Sequence, residues 1–192
     1  MGLTILILGL FVFLCTHLFV TMRERRAAAI AKLGMNGYRA VFSIVSLGSL
    51  ALIVWGYKHT PWITVWSPPG FMRHITIGLM LIASITVVAY FIPSHIKAWL
   101  KHPLLVTAKT WAFAHLLVNG DLASIIMFGV FLAWGVIARI AAKKRGDVGF
   151  TTPPDGWLND VLVLVIGIVV FLALGYAFHP AVIGVPVFGG GA

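Results

Sequence analysis

Lys101-His-Pro-Leu-Leu-Val-Thr-Ala-Lys-Thr-Trp-Ala-Phe-Ala-His-Leu-Leu-Val-Asn-Gly-Asp121 is apolar enough to enter a bilayer, yet it carries His115 near its centre. Proline suits the first turn of a helix, so His102-Pro103 marks a start. Asn119-Gly120-Asp121 is a turn signal and marks the stop. An ionisable side chain is costly inside a membrane segment and is by default a functional residue. Outward from this stretch, one other histidine lies within an apolar run, His17, and it is the natural partner for His115.

Composition agrees on the environment. Of 192 residues, 60% are hydrophobic and 10% charged, with a mean hydropathy of +1.02. A soluble domain carries about 25% charged residues, so this chain cannot solvate an ordinary globular surface and reads as a polytopic membrane protein. The net charge of +9 sits in short segments between apolar runs. With no basic groove interleaved with aromatics and no zinc spacing, nucleic acid is excluded as a partner. The single cysteine, Cys15, permits no internal disulfide. The first apolar run precedes Arg23-Glu24-Arg25-Arg26, the reverse of a signal peptide, so it reads as a retained helix.

Six transmembrane helices are predicted in an all-α bundle forming a single domain over residues 1–192: Leu3 to Met22, Ala40 to Tyr57, Ile75 to Ile92, Pro103 to Asn119, Leu122 to Ile140 and Leu158 to Phe178. Arg23 to Arg39 reads as a basic loop with a turn at Gly34–Gly37, and Ser94 to Lys101 as a short surface helix. Gly129 and Ala133 read as a small-residue pair for close helix packing, and the tail from His179-Pro180 to the final Gly-Gly-Gly-Ala as loose. Lysine and arginine then divide twelve to two between the two sides, the minority being Lys58 and Arg73. The positive-inside rule puts both termini outside the cytoplasm, which fits a bacterial inner membrane.

The chemistry rests on the histidines. His59, His74, His95, His102 and His179 lie in loops or at span ends, where a plain interfacial role is the simpler reading. His17 and His115 are flanked by apolar residues and admit two readings, a packing histidine bonded to a neighbouring helix or a ligand to iron. His115 shares its helix face with Ala108, Trp111, Ala112 and Asn119, and the alanines leave room for a flat ligand. His17 shares its face with Phe13, Leu14, Val20 and Thr21. Two facing imidazoles suit a bis-histidine haem and suit zinc poorly, since zinc takes three or four protein ligands. Counted from the ends of their helices, the two histidines sit at different depths, so a shared haem must tilt or Lys109 must lie deeper. No carboxylate pair, Gly-x-Ser-x-Gly elbow or P-loop appears.

At these residues the chain resembles the NnrU family of membrane proteins, associated with nitrite and nitric oxide metabolism, and its relative zeta-carotene isomerase, a haem b protein. Three blocks carry the likeness: Phe13-Leu-Cys-Thr-His17 with Gly37-Tyr-Arg-Ala-Val-Phe-Ser-Ile-Val-Ser-Leu47; Lys101-His-Pro103 through Ala112-Phe-Ala-His115 to Gly120; and Leu174-Gly-Tyr-Ala-Phe-His-Pro180. The resemblance implies haem b with His17 and His115 as the axial pair and Arg39 and His102 as propionate contacts; the helix face shared with His115 puts Trp111 and Ala112 beside the macrocycle. Implied partners are membrane lipids, nitric oxide or a polyene, and a redox partner or a second copy of the chain. The isomerase has a cysteine where this chain has Ala112, which rules out a thiolate swap onto iron at that position. Nitrite or nitric oxide metabolism is therefore the favoured function; a haem-dependent cis–trans isomerase and a structural or assembly partner are the alternatives.

Overall fold

The structure, a computed structural model, describes residues 1–188. Its helices are α1 (Gly2–Phe19), α2 (Arg23–Lys58), α3 (Met72–Phe91), α4 (His95–Leu100), α5 (Pro103–Val118), α6 (Leu122–Lys144) and α7 (Leu158–Ala173). A π-helical segment, Leu174–Ile183, continues α7. The described residues are otherwise turns and loops, with one isolated bridge between Thr64 and Asp121. Five helical stretches are long and apolar enough to cross a membrane. This is an all-α, multi-pass membrane architecture.

One expectation stands in part and two need correction. The fourth predicted span, α5, has 16 residues, roughly 24 Å at helical rise, which is short of a hydrocarbon core of about 30 Å. Pro103 and the Asn119-Gly120 turn bound it tightly, so the structure offers five long spans rather than six. The basic stretch after α1 is helical, not a loop: α2 runs from Arg23 to Lys58 and breaks at Gly34 (φ 70°, ψ 164°). The turn signal was thus real, and its glycine supplies a backbone conformation that other residues rarely adopt. Lastly, His179 and Pro180 belong to the π-helical segment rather than to a loose tail; the Gly-Gly-Gly-Ala ending lies outside the described residues. The short surface helix is present as α4, capped by the Ser94 hydroxyl, which accepts from the Lys97 N–H at 3.1 Å, with Trp99 exposed.

Packing follows small residues, because helices in lipid associate by close approach rather than by hydrophobic drive. A Cβ on Gly9 would run into Ile53, and one on Gly56 into the backbone of Leu6. These contacts lock α1 to α2. Gly129 was expected to make such a contact, but a Cβ there meets nothing within 4 Å; on α6 the close approach is instead at Gly135, which receives the side chain of Lys109. Leu6, Leu10, Phe13, Ile53 and Ala123 form one core between α1, α2 and α6, and Val88, Ala89 and Val163 a second between α3 and α7. α5 joins the two halves by packing on both α3 and α6. The α2–α3 loop closes over the α5–α6 turn, where Val65 and Trp66 donate to the Gly120 carbonyl.

Candidate functional site

His115 sits on the helix that is pinned from both sides. The Thr76 hydroxyl of α3 donates to the Ala114 carbonyl at 3.0 Å, and the Thr86 and Thr107 hydroxyls pair at 2.7 Å. The His115 Nδ1 lies 2.8 Å from the Trp111 carbonyl. A carbonyl only accepts, so Nδ1 carries the proton and Nε2 keeps its lone pair. The ring stacks on Phe128 of α6 (4.6 Å, 24°) and tilts against Trp111 (5.3 Å). Ala112 and Ala114 are fully buried. Across from His115, the ring of His179 lies 6.3 Å away with its plane at 25°.

His17 repeats the arrangement on α1. Its Nδ1 donates to the Phe13 carbonyl at 2.9 Å, again leaving Nε2 as the basic nitrogen. The ring stacks on Phe13 (3.9 Å, 25°) and meets Phe42 and Trp134 edge-on. His59 makes the same kind of bond to the Trp55 carbonyl and also stacks on the Trp55 ring, but it is exposed, so it is their partial burial among rings of other helices that sets His17 and His115 apart. Beside His17 the indole Nε1 of Trp134 is buried without a hydrogen-bond partner among the described residues, as is the Tyr38 hydroxyl one turn below Phe42. Arg26 lies over the Tyr38 ring at 5.7 Å, its own Nε likewise buried and unpartnered. Buried donors without acceptors cost about 1–3 kcal/mol each; of these three, Trp134 meets the His17 ring, Tyr38 is linked to it through Phe42, and Arg26 through Tyr38.

The structure does not bring His17 and His115 into ring contact. No Cα of α1 comes within 8 Å of α5, because α6 lies beside both. His17 meets α6 at Trp134 and His115 meets it at Phe128, six residues or roughly 9 Å apart along the axis. The depth difference read from the sequence is therefore present. Between them runs a row of rings: Phe131 touches Phe13 at 4.8 Å on one side and Trp111 at 5.4 Å on the other.

The remaining candidates divide. Arg39 is exposed. The His102 ring faces the α6–α7 loop, with Nε2 at 3.2 Å from the Asp147 carbonyl. Asp160 escaped sequence reading. It is 5% exposed and accepts from His95 Nδ1 at 2.8 Å and from the Ile96 N–H at 2.9 Å. An acid just inside the apolar run that starts at Leu158 was the available signal. His95 also stacks on Trp157 (4.2 Å), and this pair borders an open cleft of about 420 Å³. Tyr38, Trp134 and His179 were missed too; Tyr38 and His179 carried a sequence signal, as residues of the first and third matching blocks. No cluster of three or more metal-ligating side chains occurs among the described residues.

A family profile described as NnrU protein matches residues 5–187. No curated protein and no solved structure matches the chain.

Proposed function

This chain belongs to the NnrU protein family, and from that premise we propose that it is a haem b-binding integral membrane protein that serves nitrite or nitric oxide metabolism. The observation that carries the reading is the pair of imidazoles inside apolar helices, each with Nδ1 tied to a carbonyl one turn back and Nε2 unpaired. A bond of that kind orients a ligating histidine and fixes its tautomer.

The residues present fit the group. His115 and, as the family resemblance implies, His17 would hold the iron. Phe13 and Phe128 set the planes of the two rings by stacking. The row Phe13–Phe131–Trp111 offers an apolar surface for a macrocycle and excludes water from it. The unpartnered N–H of Trp134 and hydroxyl of Tyr38 would satisfy a carboxylate, which makes them the natural propionate holders together with Arg39. Haem b supplies one-electron redox chemistry and, where an axial position opens, small-ligand binding; the protein supplies orientation and electrostatics. Ala112 cannot supply a thiolate, which disfavours the isomerase reading.

The proposal includes six membrane crossings, with α5 as a short one supported by α3 and α6, and both termini outside the cytoplasm of a bacterial inner membrane. The basic segments gather at one end of the bundle: α1 runs parallel to α6, and the loop after α6 returns to Lys101 through Phe150 N–H. In a Cys15→Ala background, Gly70→Cys labels from outside and Asn36→Cys does not; the opposite pattern reverses the orientation. Purification from haem-replete cells tests the cofactor. The expected product is coloured, low-spin, with one haem b per chain, and His115→Ala loses the low-spin spectrum. A colourless product sinks the reading.

A further inference from the structure

The Lys101-His102-Pro103 corner between α4 and α5 stands apart from His115, with His102 roughly 20 Å away along α5. Lys101 is the only non-glycine among the described residues with positive φ (64°, ψ −47°). The His102 N–H donates to the Leu100 carbonyl at 2.7 Å, so Lys101 is the centre of a γ-turn of the rare, strained kind. Such strain persists only where the surroundings impose it, and it concentrates at ligand clamps. Here the α6–α7 loop imposes it. Phe150 N–H donates to the Lys101 carbonyl at 3.0 Å, and a Cβ on Gly149 would overlap that carbonyl. The turn gathers Tyr90, Lys97, Lys101 and His102 around a cleft of about 170 Å³, completed by Pro103, Leu104 and Leu105. No carboxylate lines it among the described residues. The Lys97 ammonium donates to the Tyr90 carbonyl at 2.6 Å and keeps two further donors. The Lys101 side chain is exposed and has no counter-ion among the described residues. His102 Nε2 donates to the Asp147 carbonyl at 3.2 Å, with Asp147 Oδ1 3.9 Å away, which leaves Nδ1 as an acceptor. Two cations and one acceptor thus adjoin an exposed leucine, Leu104, and the exposed Trp99 of α4 suits the headgroup layer.

We propose that this cleft binds the headgroup of an anionic phospholipid of the phosphatidylglycerol type. Lys97 and Lys101 hold the phosphate, a glycerol hydroxyl donates to His102, and the acyl chains lie over Leu104. Basic pockets between membrane helices are a recurrent form of lipid recognition. The proposal is independent of the haem reading and leaves His17 and His115 as they are. The test is thermal unfolding of the delipidated, full-length protein in detergent, titrated with phosphatidylglycerol or with phosphatidylcholine of the same chain length. Native mass spectrometry counts the lipids retained. Wild type retains one phosphatidylglycerol and is stabilised by it at lower concentration than by phosphatidylcholine. Lys101→Gly relieves the turn and deletes the charge. Its lipid-free form is at least as stable as wild type, yet it binds phosphatidylglycerol about fivefold more weakly, the contribution of one lysine at a membrane surface. Lys101→Arg binds like wild type, and so does Lys143→Ala, which removes an exposed cation at the end of α6. An equal response to both lipids, or Lys101→Gly titrating like wild type, overturns the proposal. An equal loss in Lys143→Ala does so too, since the attraction would then be diffuse. Stabilisation by inorganic phosphate at the same concentrations also overturns it, because the cleft would then hold a free anion.

Discussion

The two ends of the bundle treat their buried polar groups differently. At the end where α5 turns into α6, most groups answer one another, and the one left over, Asp121 Oδ2, is an acceptor. Asp121 Oδ1 accepts from the Ser124 N–H at 2.9 Å, the Tyr57 and Ser124 hydroxyls pair at 2.8 Å, and Leu122 N–H reaches the Ile63 carbonyl. Toward the basic end, from the level of His17 downward, Trp134 Nε1, Tyr38 OH, Arg26 Nε and Arg145 Nη1 are buried without partners. The basic end is not uniformly unsatisfied, because Asp160 there has both His95 and Ile96. The difference lies in sign as well as number. The leftover groups near His17 are donors, and what they lack is an acceptor, so the proposed carboxylates of a haem would complete them.

Substitutions can break this contrast. Asp160→Ala strands the Ile96 N–H and frees the His95 ring, and leaving a buried group unsatisfied costs about 1–3 kcal/mol. It should give the largest fall in thermal unfolding temperature in detergent. Asp121→Ala removes the side-chain cap of α6, worth about 0.5–2 kcal/mol, and should lower that temperature by less. Neither should change the haem spectrum of the protein that remains folded. A lost spectrum with intact helicity by circular dichroism would mean that these groups belong to the site.

Trp134→Phe probes the opposite kind of residue. It deletes a donor that has no partner, so the haem-free protein should be as stable as before. With haem bound, the lost hydrogen bond to a charged acceptor is worth about 1.5–3 kcal/mol, or tenfold or more in haem release to a scavenging apoprotein. Equal retention by wild type and variant would remove Trp134 from the site.

Much of the architecture was legible in the sequence, and the limits have physical causes. Hydropathy and the proline and glycine punctuation located every apolar run, the α4 surface helix and the α5–α6 hairpin. What failed was continuation. Arg23 to Leu33 looks polar enough to be a loop, yet nothing in Arg-Glu-Arg-Arg-Ala-Ala-Ala opposes helix, and only Gly34 interrupts it. His115 and His17 were legible because an ionisable ring in an apolar run has few bland explanations. His179 was not, because its proximity to His115 depends on a π-helical turn that no spacing rule encodes. Tyr38 and Trp134 are residue types common in membrane helices; their significance is the absence of an acceptor, which only the folded chain reveals.

Arg39 gives the smallest expected effect and separates surface attraction from buried bonding. Its side chain is exposed, so an ion pair with a propionate would be worth about 0–1 kcal/mol. Arg39→Ala should therefore speed haem release only a few-fold. Exposed charges are screened as salt rises, with the Debye length falling from about 10 Å at 0.1 M to about 3 Å at 1 M. The difference between Arg39→Ala and wild type should accordingly vanish at high salt. Tyr38→Phe removes a hydroxyl that is buried and shielded from added ions, so its effect on haem release should persist in the same buffer. If both effects vanish with salt, Tyr38 acts only by positioning the cations around it, Arg26 first among them at 5.7 Å, and the carboxylate is held at the surface. If Tyr38→Phe alone persists, the acceptor that its hydroxyl lacks is supplied inside the bundle, beside His17.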